Sequence, residues 1–223
     1  MKDVNKLMVA ILSVLETRPV EEAGEAIRDF LAQQTADARV WPTDADMLSG
    51  LPTMRLYGNV RQSRLRVILG AVEKQLRTER HEDVPLPAKL DIEHVMPRSW
   101  RSHWDTDPSL AGEDASARTK RVDRLGNLTL VTQKLNGSLS HRPWTDEEAA
   151  VVAPKGKEAG LGKRSLLAQY SLLVLNKSLV DEHPDCWTDE DIRERSREMT
   201  KRVCAIWPCH SKPAVTASSA SAP

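Results

Sequence analysis

The sequence predicts a mostly helical α+β protein with one small unit of two strands and a helix embedded in it. Three observations carry that prediction. Apolar residues recur at helical spacing through residues 1–80 and again through 145–210. Between them, only AKLDIEHV and LGNLTLVT are short, β-branched and apolar enough to read as strands. The polar residues that a core does not need, Glu93, His94, Asn127 and Asn136, all fall on those strands or just after the second.

The elements follow in order. Leu7, Val9, Ile11, Leu12 and Leu15 mark a first amphipathic helix, and EEAGEAIRDFLAQQ a second. WPTDADMLSGLPTMRLYG carries turn residues and one short helix begun at Thr43 or Asp44. A further helix puts Leu65, Val67, Ile68, Val72 and Leu76 on its apolar stripe. The first strand stops at Pro97, which has no N–H to continue a ladder. The second follows a glycine turn. The polar interval 105–120 reads as a surface loop with one helical turn. Thr145 with Glu148 forms a capping box for the next helix. KRSLLAQYSLLVLNKSLV is one buried helix or a pair, and a last helix runs from a cap at Thr188 to Trp207, stopped by Pro208. The domain expectation is a helical connector over 1–87, the strand-bearing core over 88–144, packing helices over 145–210 and a disordered Ala/Ser/Pro tail over 211–223.

The 223 residues suffice for one good core, and 40% hydrophobic with 29% charged residues is ordinary for a globular protein. The 32 basic and 32 acidic residues cancel, so binding to nucleic acid would depend on a local patch. Three cysteines are no disulfide scaffold and fit a reducing cytosol. The opening helix carries charges within it, so it reads as an amphipathic helix and not as a signal peptide. The expected location is the cytoplasm.

A carboxylate beside an imidazole, with an amide returning later, is the minimum kit for hydrolysing a phosphodiester with one hard cation. The cation takes oxygen ligands, which Glu93 and the Asn136 carbonyl supply. His94, an imidazole, accepts the proton of the attacking water. That role needs one ring nitrogen held and the other free, and Asn127 is suited to pin the loop presenting a backbone carbonyl to the ring.

EHVMP followed by LGNLTLVTQKLNGSLSHRPW resembles the His-Me finger, or HNH, nuclease motif. More specifically, it resembles the C-terminal nuclease domain of GmrSD-type, modification-dependent restriction endonucleases. The resemblance covers residues 40–208. It implies a mostly α fold with a small embedded ββα-metal (His-Me finger) unit. It further implies a divalent cation, Mg²⁺ first and Mn²⁺ second, and nicking of DNA in bacterial defence against phage. Glu93 then resembles the metal-binding carboxylate, His94 the general base, Asn127 the orienting asparagine and Asn136 the metal-side amide. Many such motifs have Asp where Glu93 stands and His where Asn136 stands, and His141 is the alternative ligand. Arg98, Arg101, Lys134, Arg142, Lys163 and Arg164 are the expected phosphate-binding rim. Members of the family also carry an N-terminal ParB-like nucleotide-hydrolysing sensor. No Walker-type glycine loop or DGQQR-like signature occurs here, so the chain is expected to be the effector half of a longer protein, the alternative being a separate ParB-like sensor.

Plainer readings stand beside these. Glu93 with His94 is in isolation a surface ion pair, and Asn136-Gly137 in isolation a turn. Trp100, Trp104 and Trp144 either cover the edge of the core or stack on bases. Cys186, Cys204 and Cys209 with His183 or His210 can be drawn as a zinc set but lack any CxxC pair. The competing functions are a module that grips nucleic acid or a partner without chemistry, and an RNase.

Overall fold

In a computed structural model the chain is described over residues 2–36, 40–82, 84–104, 113–152, 155–156 and 158–209. The expected tail over 211–223 lies outside them. The chain forms two compact units, one of residues up to Met47 with the stretch beginning at Pro208, the other Leu48–Trp207.

In the first unit, α1 (Lys2–Glu16) and α2 (Ala23–Ala32) are joined through a 3-10 turn at Val20–Glu22. Leu7, Ile11, Val14 and Leu15 are the half-buried large apolar residues of α1, whereas Val9 and Leu12, expected on the same stripe, are exposed. The inward positions follow i, i+4, i+7, i+8, and Val9 and Leu12 fall off that row. A third helix, α3 (Asp44–Gly50), crosses the unit boundary. Thr43 begins it, its hydroxyl accepting from Asp46 N while the Asp46 carboxylate accepts from Thr43 N.

The second unit holds β1 (Asp91–His94) and β2 (Leu128–Val131), an antiparallel pair with Glu93 opposite Thr129 and His94 opposite Leu128. Around them lie α4 (Gln62–Leu76), α5 (Glu113–Arg121), α6 (Gln133–Leu139), α7 (Asp146–Val152), α8 (Lys163–Tyr170), α9 (Val174–Glu182) and α10 (Asp189–Ile206). Among the described residues the chain is therefore mostly helical with one two-stranded sheet, as the sequence predicts.

Three local outcomes differ from expectation or sharpen it. On α4 the buried row is Leu65, Leu69 and Val72, while Val67 faces solvent. Two residues turn a helix by about 200°, so Leu65 and Val67 cannot share a face. From Glu113 the expected polar loop is a nine-residue helix, α5, with Arg118, Lys120 and Arg121 in its last turn. Basic side chains there complement the helix dipole. Residues 105–112 lie outside the described ones. KRSLLAQYSLLVLNKSLV is a pair of helices broken at 171–173. The buried Glu73 carboxylate of α4 accepts from Val174 N and Leu175 N and so caps α9.

The core is a cluster of Trp100, Trp104, Trp144 and Trp187 with Leu139, Leu166, Leu167 and Ile192. The buried indole N–H groups find acceptors: Trp104 on Arg142 O at 3.0 Å and Trp144 on His183 O at 2.9 Å. Trp100, Trp104 and Trp144 thus belong to the core, and burial withholds their rings from stacking on bases.

Candidate active site

The LGNL segment that leads into β2 is fixed by α10. A Cβ on Gly126 would lie 2.2 Å from Ile192 O and 2.6 Å from Ser196 N, so only glycine lets the two backbones pass. Gly126 N donates to Ser196 Oγ at 2.9 Å, and the Arg195 guanidinium donates to Gly126 O and to Leu128 O. Burial brings the Arg195 pKa down to about 10, partly opposed by the charge of Glu182.

Asn127 then ties this segment to the end of β1. Its side chain is fully buried. Oδ1 accepts from Met96 N at 2.8 Å and from Trp187 Nε1 at 3.0 Å, while Nδ2 donates to Met96 O and Val122 O, both at 2.8 Å. Two donors and two acceptor positions are all an amide has, so Asn127 is wholly committed to holding the backbone. Its main-chain oxygen also accepts from Val95 N at 2.9 Å.

His94, the last residue of β1, is buried and held from three sides. Its Nε2 lies within hydrogen-bonding distance of Asp123 Oδ1, at 3.1 Å. The Tyr57 ring meets the imidazole edge to face at 4.5 Å, and His94 O accepts from Lys163 Nζ at 2.8 Å. Among the described residues Nδ1 has no hydrogen-bond partner. The group holding the ring is thus a carboxylate, where a backbone carbonyl was expected. Burial pushes the Asp123 carboxyl up, but hydrogen bonds from His94 and Arg55, with the charges of both, hold it below its ordinary value. Arg55 Nε donates to Asp123 Oδ2 at 2.8 Å, and the exposed Arg98 stands 3.7 Å from Oδ1 and over the Tyr57 ring.

Glu93 turns to α8. Its Oε1 accepts from Lys163 Nζ at 2.5 Å. Lys163 reaches this position because Gly162 passes within 2.4 Å of Trp144 O and Thr145 O, measured from where a Cβ would stand. Lys163 is 1% exposed, and burial pulls its ammonium down while Glu93 pushes it up. The expectation that Lys163 sits on a phosphate rim is therefore corrected: it is the buried counter-charge of Glu93. Of the other five basic residues, Arg98, Arg101 and Lys134 are exposed. Half-buried Arg142 donates to Ser138 O, Glu158 O and Leu161 O, and half-buried Arg164 to Val180 O.

Asn136 lies on α6, whose N-cap is the Thr132 side chain, and its Nδ2 donates to Asp91 Oδ2 at 3.2 Å. His141 falls beyond the end of α6, after Ser140 turns the chain at φ 40°, and its Nδ1 is 2.7 Å from Ser99 Oγ. Glu93, Asp91 and Asn136 each keep one side-chain oxygen without a hydrogen-bond partner among the described residues. Three oxygen donors from one strand and one helix suit a hard cation. Among the described residues no three His, Cys, Asp or Glu side chains gather as a metal group. A cation here would accordingly need the asparagine amide as well as the acids.

Four residues of this site escape a reading of the motifs: Asp91, Asp123, Arg55 and Tyr57. The strand period of two places Asp91 on the face of Glu93 and was a usable signal. Nothing in the sequence links Arg55, Tyr57 and Asp123 to His94, because the link exists only in the folded chain.

β1 thus sends His94 to Asp123 and Tyr57 and Glu93 to Lys163, while α6 returns the Asn136 amide to Asp91 and the buried Asn127 braces the end of the strand. Residues 41–202 match the family described as GmrSD restriction endonucleases, C-terminal domain, and the chain belongs to that family. No curated protein and no solved structure matches it. The family makes it a restriction endonuclease domain. Among the described residues no helix is long and apolar enough to cross a membrane.

Proposed function

We propose that the chain is a divalent-metal-dependent DNA nuclease of the His-Me finger type, the effector of a modification-dependent restriction system. It would work in bacterial defence against phage together with a ParB-like sensor. The observation that carries the reading is His94: one ring nitrogen is held by Asp123 and the other is unpartnered, one residue from Glu93. An imidazole so placed takes a proton from water through Nδ1, and the imidazolium that results is stabilised by the adjacent carboxylate.

Glu93 and Asn136, with Asp91 beside them, would hold the cation. Mg²⁺ is the first choice, since every donor is oxygen. When bound, the cation neutralises phosphate charge and stabilises the leaving oxygen. Lys163 keeps the Glu93 carboxylate in place, Asn127 fixes the loop after His94, and Arg98, Arg101 and Lys134 offer exposed cations to the DNA backbone. One imidazole activates one water, so one site nicks one strand, and a double-strand break takes two protomers or two visits.

The test is a titration of Mg²⁺, Mn²⁺ and Ca²⁺ against supercoiled plasmid, with the parent, Asn136→Ala and Glu93→Gln compared, and RNA as a parallel substrate. Nicking of DNA that requires metal and falls at least about 100-fold in both variants is expected. Cleavage that persists in EDTA, or RNA cut in preference to DNA, contradicts the reading. A nucleic-acid grip that survives EDTA without cleavage favours a binding module.

A further inference from the structure

We infer that Asp123 is the positioning residue for His94, its carboxylate accepting the Nε2 hydrogen and so making Nδ1 the basic nitrogen of the ring. Asp123 lies 29 positions along the chain from His94 and is 1% exposed. Its two carboxylate oxygens are divided between two partners, Oδ1 taking His94 at 3.1 Å and Oδ2 taking Arg55 at 2.8 Å. The ion pair with Arg55 keeps the carboxylate charged, and a charged carboxylate only accepts. The hydrogen between the two residues therefore sits on Nε2.

The same residue also places the ring's other neighbour. The Asp123 main-chain oxygen accepts from Leu56 N and from Tyr57 N, both at 3.0 Å, and Tyr57 packs against the imidazole. One aspartate thus fixes the tautomer through its side chain and the packing of the ring through its backbone. An imidazole without such a partner divides its population between tautomers and rotamers, and only a fraction presents Nδ1 as a base. A carboxylate does more than a carbonyl in this position, because it also favours the imidazolium formed as the proton is taken. The inference rests on the nuclease reading for its catalytic consequence, though not for its geometry.

The experiment uses the full chain labelled with ¹⁵N-histidine. Long-range ¹H–¹⁵N correlation at mildly alkaline pH reads the tautomer, with His94 assigned by its loss in His94→Gln. The expected result is the Nε2–H form in the parent and a mixture of forms in Asp123→Ala. In plasmid nicking, Asp123→Asn is expected to lower kcat at least about tenfold with KM within about twofold. Asp123→Glu, which retains the charge, is expected to recover more turnover than Asp123→Asn. A parent His94 in the Nδ1–H form, or Asp123→Asn with unchanged kcat, overturns the inference. If Asp123→Ala fails to fold, the parent spectrum alone decides the tautomer. If His94→Ala nicks as fast as the parent, the nuclease reading fails, and the tautomer still decides whether Asp123 sets the ring.

Discussion

Asn127 shows how a residue can brace the backbone beside a candidate site while its own side chain is fully committed. Every hydrogen-bonding position of its amide is filled by backbone or by Trp187. Replacement by alanine orphans buried donors and acceptors, each at a cost of about 1–3 kcal/mol. Asn127→Ala should therefore lose about 3 kcal/mol or more by urea unfolding, and its activity should fall with the fold. A loss below about 0.5 kcal/mol would contradict this brace. Lys163 and Glu93 obey a related rule. Lys163→Met leaves a buried carboxylate without its counter-charge, which typically costs about 3–5 kcal/mol. The variant should melt lower, and added Mg²⁺ should raise its melting temperature more than the parent's if the cation takes the same carboxylate. Asp123 adds a pH dependence. A carboxyl held below its ordinary value in the fold contributes stability above the unfolded pKa of about 3.9, and that contribution disappears as pH falls through the folded value. Acid unfolding of Asp123→Asn, followed by circular dichroism, should lose this part of the slope. Asn127 was readable beside Gly126 in the motif. The role of Asp123 was not, because an isolated aspartate in VDRLGN carries no mark of the imidazole it meets.

Among the elements, the close crossing of α10 over the LGNL segment has the narrowest tolerance. Gly126→Ala would bring a methyl to 2.2 Å from the Ile192 carbonyl, and both backbones would have to move. Overpacking of this kind costs about 1–3 kcal/mol even where side chains can yield, and more where they cannot. The expected outcome is a lower melting temperature with nicking reduced as the end of β1 shifts, and a variant indistinguishable from the parent in both contradicts the crossing. Helix starts were legible in the sequence because their chemistry is local. Thr145 with Glu148 and Thr188 with Asp191 make reciprocal caps within four residues. α5 was not legible, since it is polar throughout. Its anchor, the buried Arg118, donates to Asp189 at 2.6 Å and to Trp104 O at 3.1 Å, contacts far away in sequence. Glu73 is the same case: nothing near it in sequence reveals that it caps α9.

At the scale of the molecule, a net charge of zero means that attraction to DNA must come from a few exposed cations. Arg98, Arg101 and Lys134 are exposed, whereas Lys163 is spent on Glu93. Replacing the three with alanine should lower the slope of log K against log salt by about 2–3, measured by fluorescence anisotropy on duplex DNA. An unchanged slope would place the DNA elsewhere. The fold class was legible because helical periodicity dominates most of the chain and the two strands are short and flanked by turns. The site was legible only where its residues cluster in sequence, at 93–94 and 127–136. Arg55, Tyr57, Asp123 and Lys163 are brought to it by tertiary contacts. The most direct measurement is the nicking rate of supercoiled plasmid by His94→Ala in Mg²⁺, at a protein concentration where its circular dichroism melt matches the parent's. A loss of at least about 100-fold is expected from removing a general base. A folded His94→Ala that nicks as fast as the parent would contradict the account.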